Sequence, residues 1–239
     1  MLAKVFGDES EWPEQDLIGF SAEFDAQLAV AAYCSGVFPM PLHETGFDGE
    51  MGWWSPVFRG VLPLDGLRVP RSLRKSSRRY TTTIDAAFGL VLERCADPGR
   101  EHGWIDDDIR RVYRQLHDEG IAHSVETWDA EGRLVGGLYG IAIGGLFAGE
   151  SMFHDPVLGR DASKVALMRL VEVLDDGNPD RLLDVQWQTD HLASLGVVEV
   201  ERPTYLFLLE RALDQPPVEW PEPPTTMCEP VEVEGAPDA

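Results

Sequence analysis

Two short stretches place polar side chains in apolar surroundings. In "LLDVQWQ", residues 182–188, Asp184 and Gln186 interrupt a run of Leu, Val and Trp. Read as a strand, the stretch alternates. Leu182, Asp184, Gln186 and Gln188 then share a face, with the acid and the first amide about 7 Å apart. Such groups are costly to bury unless both find partners. Two readings follow: an edge strand with a wet face, or a cleft where Asp184 accepts a proton and Gln186 orients a reactant. In "FAGESMF", residues 147–153, Glu150 interrupts a strongly apolar hairpin. Alternation puts Glu150 and Met152 on one face, and Phe147, Gly149, Ser151 and Phe153 on the other. Glu150 is either a solvent-facing residue near a strand end or a partly buried acid beside a methionine-lined pocket. Methionine is flexible and suits several apolar ligands.

Other residues suit binding. Trp104 lies in "HGWIDD", just before a helix start. It either staples that helix or offers a stacking face to a base, worth about 1–3 kcal/mol. Trp53 and Trp54 in "WWSP" mark either a domain seam or a recognition surface. In "RVPRSLRKSSRRY", Arg68 to Arg79 hold six of the chain's twenty Lys and Arg and no acid, in a protein of formal charge −22. The ordinary reading is a solvated basic face; the alternative is a contact for an RNA backbone. The six histidines show no HExxH or other metal-ligand spacing, and no GxSxG, P-loop or GxGxxG is present. "GRDASK" sits where a coenzyme-A pyrophosphate loop would lie in an acetyltransferase. It lacks the Gly-x-Gly or Gly-x-Ala that brings N–H groups onto phosphate.

The elements that must carry these residues follow from periodicity. A short helix is expected over about Phe24 to Cys34. "GVFPMPLHETGFDGEMGWWSPVFRG" is rich in Gly, Pro and Trp and is expected to be irregular and partly exposed. "RGVLPL" reads as a strand. Helices are expected over Ile84–Cys95 and Asp106–Glu119, the second with an acidic first turn and Gly120 at its end. "AHSVETW", "RLVGGLYGIAI" and "LFAGESMF" read as strands, joined by "DAEG" and by Gly144-Gly145. Ala162–Leu174 is expected to be helical, "LLDVQWQ" a strand, and "RPTYLFLLERAL" the last helix, with Pro203 in its first turn. The sum is an α+β fold with a mostly antiparallel sheet. The element order is that of Gcn5-related acyltransferases, an analogy of fold alone. Residues 1–57 are expected to form a small N-terminal domain and 58–213 the main domain. Residues 214–239 hold seven prolines, seven acids and no Lys or Arg, and are expected to be a disordered tail apart from any local docking of Trp220.

Composition excludes several classes. No signal peptide is evident, and the uncharged stretch Leu134 to Gly149 is too short and glycine-rich to span a membrane. Three widely spaced cysteines without CxxC fit a reducing cytoplasm. The net charge argues against general nucleic-acid binding, DNA included, and suits cationic substrates.

Several motifs occur together and in order: "GWWSP", "RGVLPL", "RSLRK", Trp104-Ile105, "YRQLHDEGIAHSVE", "LVGGLYGIAIGGLFAGESMF", "ASK", "LLDVQ" and "DHLASLG". They resemble the leucyl/phenylalanyl-tRNA–protein transferases over about residues 33 to 213. The resemblance implies a Gcn5-related acyltransferase-like (GNAT-like) main domain and no metal or coenzyme. It implies transfer of Leu or Phe, and Met less well, from aminoacyl-tRNA to a protein's N-terminal Arg or Lys, marking that protein for degradation in the bacterial cytoplasm. By position it implies an aminoacyl pocket of Leu138, Phe147, Met152, Leu167, Leu170 and Leu183. It sets Trp104 against the terminal adenosine, and Asp184, Gln186 and Glu150 at the reacting amine and ester. Many relatives read "FPWF" where this chain has "FPMP", so Met40, Trp53 or Trp54 is expected to supply the second adenosine contact. The basic stretch, through Arg71, Arg74, Lys75, Arg78 and Arg79, becomes the expected seat of the tRNA acceptor stem. The competing readings are an acyl-CoA-dependent N-acyltransferase and a non-catalytic aminoacyl-tRNA-binding module.

Overall fold

A computed structural model describes residues 5–42, 50–97, 99 and 103–223. His43, His102, Cys228 and residues 224–239 of the acidic tail lie outside the described residues. The N-terminal region builds a small antiparallel sheet from β1 (Leu17–Ser21), β2 (Phe38–Pro41) and β3 (Met51–Trp54), in the order β1-β3-β2. Helix α1 (Ala26–Cys34) lies between β1 and β2, started by the Asp25 carboxylate accepting the Leu28 N–H at 2.8 Å. The stretch expected to be irregular is thus partly strand. Its prolines are tolerated because β2 is an edge strand, where a missing N–H costs no ladder bond. Trp53 and Trp54 lie on β3 rather than on a loop.

The main sheet has seven strands: β4 (Phe58–Val61), β5 (Thr81–Ile84), β6 (Ala122–Trp128), β7 (Leu134–Ile143), β8 (Leu146–His154), β9 (Leu182–Asp184) and β10 (Val198–Glu201). Their order is β10-β4-β9-β8-β7-β6-β5, and among the described residues only β8 and β9 pair in parallel. The β7–β8 turn needs glycine. Gly144 has φ 57°, and a Cβ there would lie 2.7 Å from the Leu213 carbonyl oxygen. Helices α2 (Arg71–Ser77), α3 (Phe88–Cys95), α4 (Asp107–Asp118), α5 (Ala162–Leu174), α6 (Asp190–Leu195) and α7 (Arg202–Leu213) complete the fold. Residues of α1, α3, α4 and α7 join one apolar layer, which also takes in Trp53 of the small sheet. Residues of α5 pack into a second layer with Leu138, Phe147 and Leu183.

The expected helix from Ile84 starts later. The β-branched run Thr81–Ile84 pairs with β6, and Asp85, at φ 55°, breaks the chain before α3. Helices α2 and α6 and strand β10 are too short for periodicity to reveal. The acidic segment does not leave the body at Asp214: Val218 is buried and Trp220 stacks on His123.

Candidate functional site

Glu150 owes its setting to a bulge. In the β7–β8 ladder Tyr139 pairs with Ser151 and Gly140 with Gly149, so Glu150 is an extra residue on β8. The bulge resets the alternation. Leu138 pairs with Met152 and Ala142 with Phe147, so Met152 and Phe147 come to one face, not to opposite faces as unbroken alternation requires. Glu150 is not solvent-facing; it is only 7% exposed. Tyr113 Oη of α4 donates to its Oε2 at 3.0 Å, and Gln186 Nε2 to its Oε1 at 3.0 Å. Tyr33 Oη of α1 is hydrogen-bonded to Tyr113 Oη. Burial pushes the Glu150 carboxyl up to about 7; the two tyrosine hydroxyls and Gln186 oppose the rise, and the charge of Asp184 adds to it.

Asp184 is placed quite differently from a wet edge strand. Strand β9 lies between β4 and β8, and Asp184 is fully buried. Its Oδ1 accepts Arg59 Nε at 2.8 Å; its Oδ2 accepts Arg59 Nη2 at 2.6 Å and Tyr205 Oη at 2.8 Å. The Arg59 guanidinium lies over the rings of Phe38 (4.7 Å) and Tyr205 (4.4 Å) and donates to the Gly36 carbonyl. This is a paired charge of the kind a protein interior tolerates. The strand ends at Asp184, so Gln186 does not follow the expected alternation. Gln186 takes φ 64°, and its N–H donates to Asp184 Oδ1 at 2.8 Å. Gln186 thus links Asp184 to Glu150 by hydrogen bonds, and Asp184 does not line the cavity described next.

That cavity, of about 120 Å³, is lined by Leu138, Phe147, Met152, Leu167, Leu170 and Leu183, together with Glu150 and Gln186. The structure therefore brings all six expected apolar positions and two of the three expected polar ones to one space. Leu192 on α6 and Val185 also line it and were not foreseen. Tyr33, Tyr113, Arg59 and Tyr205 were also missed. Arg59 left a signal, a lone charge inside the apolar "RGVLPL"; the tyrosines left none, since each sits in an ordinary helical apolar pattern.

The remaining expected contacts divide. Trp53 is buried, with its ring against Phe6 and Phe24 and its Nε1 donating to Ser21 Oγ at 2.9 Å. It is packed into the apolar layer shared with α1, α3, α4 and α7 and offers no face to an adenosine. Trp54 is half-buried, edge-on to Trp187, and donates to the Met40 carbonyl at 3.2 Å. Met40 and Trp104 are also half-buried. On α2, Leu73 and Ser76 are buried while Arg71, Arg74 and Lys75 are exposed, as are Arg78 and Arg79 just beyond. Arg79 is tied to Ser76 Oγ at 2.7 Å and lies over the Tyr80 ring. Among the described residues, none of these five cations pairs with a carboxylate.

Comparison with known proteins decides the family. The sequence profile described as leucyl/phenylalanyl-tRNA protein transferase matches residues 61–210, and that of the N-terminal domain of the same transferase matches residues 22–57. The chain belongs to the leucyl/phenylalanyl-tRNA protein transferase family. A transferase of that name from Rhodospirillum rubrum is 50% identical over 192 residues, covering 78% of this chain and 86% of the relative. Those from Afipia carboxidovorans and Salinibacter ruber are 46% and 47% identical, covering 82% and 81% of this chain and 85% and 82% of the relatives. Among solved structures, that of L-PGS from Bacillus licheniformis aligns with a TM-score of 0.37 and 11% identity, over 73% of this chain and 57% of that one; so weak a likeness assigns no fold. As a leucyl/phenylalanyl-tRNA protein transferase the chain is an aminoacyltransferase, and the whole cavity lies inside the matched region. Tyr33 comes from the N-terminal match, so the hydrogen bonds around Glu150 join both matched regions. Among the described residues no helix is long and apolar enough to cross a membrane.

Proposed function

We propose that the cavity takes the side chain of Leu or Phe, and Met less well, carried on aminoacyl-tRNA, and that the acceptor is the α-amine of a protein beginning with Arg or Lys. In this reading the reaction marks proteins for degradation in the cytoplasm. The main domain is a GNAT-like scaffold, a reading supported by antiparallel β6, β7 and β8 followed by α5 and a parallel β9.

The observation that carries the reading is a buried carboxyl, pushed by burial up to about 7, set in the wall of an apolar cavity. An apolar cavity of about 150 Å³ accommodates a benzene ring, so about 120 Å³ suits a leucyl or, with small adjustment, a phenyl side chain. The donor ester is already activated, so the enzyme must deprotonate the amine, hold it and stabilise the oxyanion. The amine nitrogen attacks the ester carbonyl, and the proton it loses passes to Glu150. The bond to the ribose oxygen then breaks, and Glu150 passes that same proton to the leaving oxygen, which regenerates the carboxylate. A free α-amine has a pKa near 8, and a base near 7 is well matched to it. Gln186 holds Glu150 in place, and Asp184 holds Gln186 in its left-handed turn. Asp184 therefore acts as a positioning residue and not as the proton acceptor first expected. Main-chain N–H groups along 149–152 supply the oxyanion contacts. Trp104, with Met40 or Trp54, receives the terminal adenosine, and the α2 cations meet the acceptor-stem phosphates.

The direct test is incubation with Phe-tRNA or Leu-tRNA and a peptide beginning with Arg, followed by mass spectrometry. The peptide should gain the mass of one Phe or Leu residue; an unchanged mass with both donors overturns the reading. Leu138→Trp fills the cavity and should abolish Phe transfer; undiminished transfer places the donor side chain elsewhere. The double variant Arg74→Glu/Lys75→Glu should raise KM for Phe-tRNA at least about tenfold and flatten its salt dependence, since each phosphate contact contributes a slope near 0.7–0.9 in log K against log salt. Transfer from a phenylalanyl-adenosine donor, which lacks the stem, should change less than about twofold.

A further inference from the structure

Past Leu213 the chain leaves α7 and crosses the end of the main sheet. The family match stops at residue 210, so this segment lies beyond it. It is held at several points. Arg181 Nη1 donates to the Pro216 carbonyl at 2.6 Å, and Asn178 Nδ2 to Gln215 Oε1 at 3.0 Å. It passes so close to the β7–β8 turn that a Cβ on Gly145 would lie 3.0 Å from the Gln215 side chain and one on Gly144 3.1 Å from the Gln215 carbonyl oxygen. Val218, 7% exposed, then enters the apolar layer beneath α5. Trp220 stacks on His123, with ring centroids 4.2 Å apart and planes at 20°, and meets the Phe147 ring at 5.8 Å. His123 is itself fixed: its Nδ1 lies 2.7 Å from Asp85 Oδ2 and its Nε2 3.2 Å from the Gly120 carbonyl oxygen. Phe147 therefore touches a clamped indole as well as the cavity that holds Glu150.

We propose that residues 215–220 form a strap whose Trp220 fixes Phe147 and so sets the depth of the cavity, making Trp220 a positioning residue for donor selectivity. The inference rests on the reading of the cavity as the donor's side-chain site. Small displacements matter there, because one methylene more or less in an apolar pocket changes discrimination by roughly 10- to 200-fold. Interiors relax only partly around a lost side chain. Without the indole, Phe147 gains room behind it, the cavity deepens, and the bulkier donor is favoured.

The test compares wild type, Trp220→Ala and Trp220→Phe, each as the full chain, with Phe-tRNA and Leu-tRNA under single-donor kinetics. In Trp220→Ala the ratio of kcat/KM for Phe over Leu should rise about tenfold, mostly through KM, a change at the lower end of what a methylene-sized pocket difference produces. Trp220→Phe restores a flat ring against His123 and should keep the ratio within about twofold of wild type. A residue that only stabilised the fold would lower Tm and slow both donors alike. An unchanged ratio in Trp220→Ala, in a wild type that transfers both amino acids, overturns this inference alone. A wild type that transfers neither overturns the reading of the cavity and this inference together.

Discussion

Replacing Glu150 with Gln should slow transfer of Phe to an Arg-initiated peptide by two to four orders of magnitude, about the range that general-base catalysis supplies. Gln keeps the shape of Glu and its hydrogen bond from Gln186, so the variant should still bind Phe-tRNA and fold. The loss should fall on kcat, with KM for Phe-tRNA little changed. A variant with wild-type kcat removes Glu150 from the chemistry. The pH profile provides a second check. Because burial raises the carboxyl to about 7, wild-type kcat/KM should climb as pH rises through that value, while the residual activity of Glu150→Gln should lack that limb. Stability should move the opposite way. The folded carboxyl holds its proton more tightly than the unfolded one. Its stabilising effect is therefore full at low pH and lost as pH rises from about 4.5 through about 7. The gap corresponds to a penalty on the order of 3 kcal/mol above neutrality. Glu150→Gln, which never ionises, should melt several degrees above wild type at pH 8, with the difference shrinking towards pH 5. Equal Tm at pH 8 would show that the site carries ionised Glu150 without cost.

Asp184→Ala should be the most destabilising single change in the site. It leaves the Arg59 guanidinium buried with no counter-charge, a defect worth about 3–5 kcal/mol. In a chain of this size that lowers Tm by about 10 °C, at 2–4 °C per kcal/mol. It also frees the N–H of Gln186, so activity should collapse for geometric reasons. The double variant Arg59→Met/Asp184→Leu separates the two effects. Apolar residues of similar volume replace a buried ion pair at little cost, so Tm should recover most of the loss. Transfer should not recover, because Gln186 has lost its anchor and Glu150 its aligned donor. Full recovery of transfer with Tm would show that Asp184 serves the fold alone. A stable Asp184→Asn enzyme with normal kcat would equally remove Asp184 from positioning.

Element type was readable where periodicity ran long enough. The amphipathic 162–174 helix, the 122–154 strands with their Gly-Gly turn, and the last helix with its early proline stand as expected. Short elements were not readable, because six or seven residues of α2 or α6 hold too few turns to show a period. The β2–β3 pair was hidden behind glycine and proline, which an edge strand tolerates and an interior strand does not.

By itself, the sequence determined the family, the apolar character of the six cavity residues, the presence of three polar residues among them, and the concentration of positive charge in one short stretch. These are matters of residue type and order, which need no third dimension. The tertiary structure alone decided which polar group faces the cavity. One extra residue in β8 set Glu150 into the bulge and turned Met152 to the side of Phe147. Arg59, 125 positions away along the chain, engaged Asp184 and left it to hold Gln186 rather than a substrate. Tyr33 and Tyr113, from two helices far apart in sequence, closed over the carboxyl. A register shift and a long-range ion pair depend on what lies across the fold, and no local pattern of types and spacings encodes that.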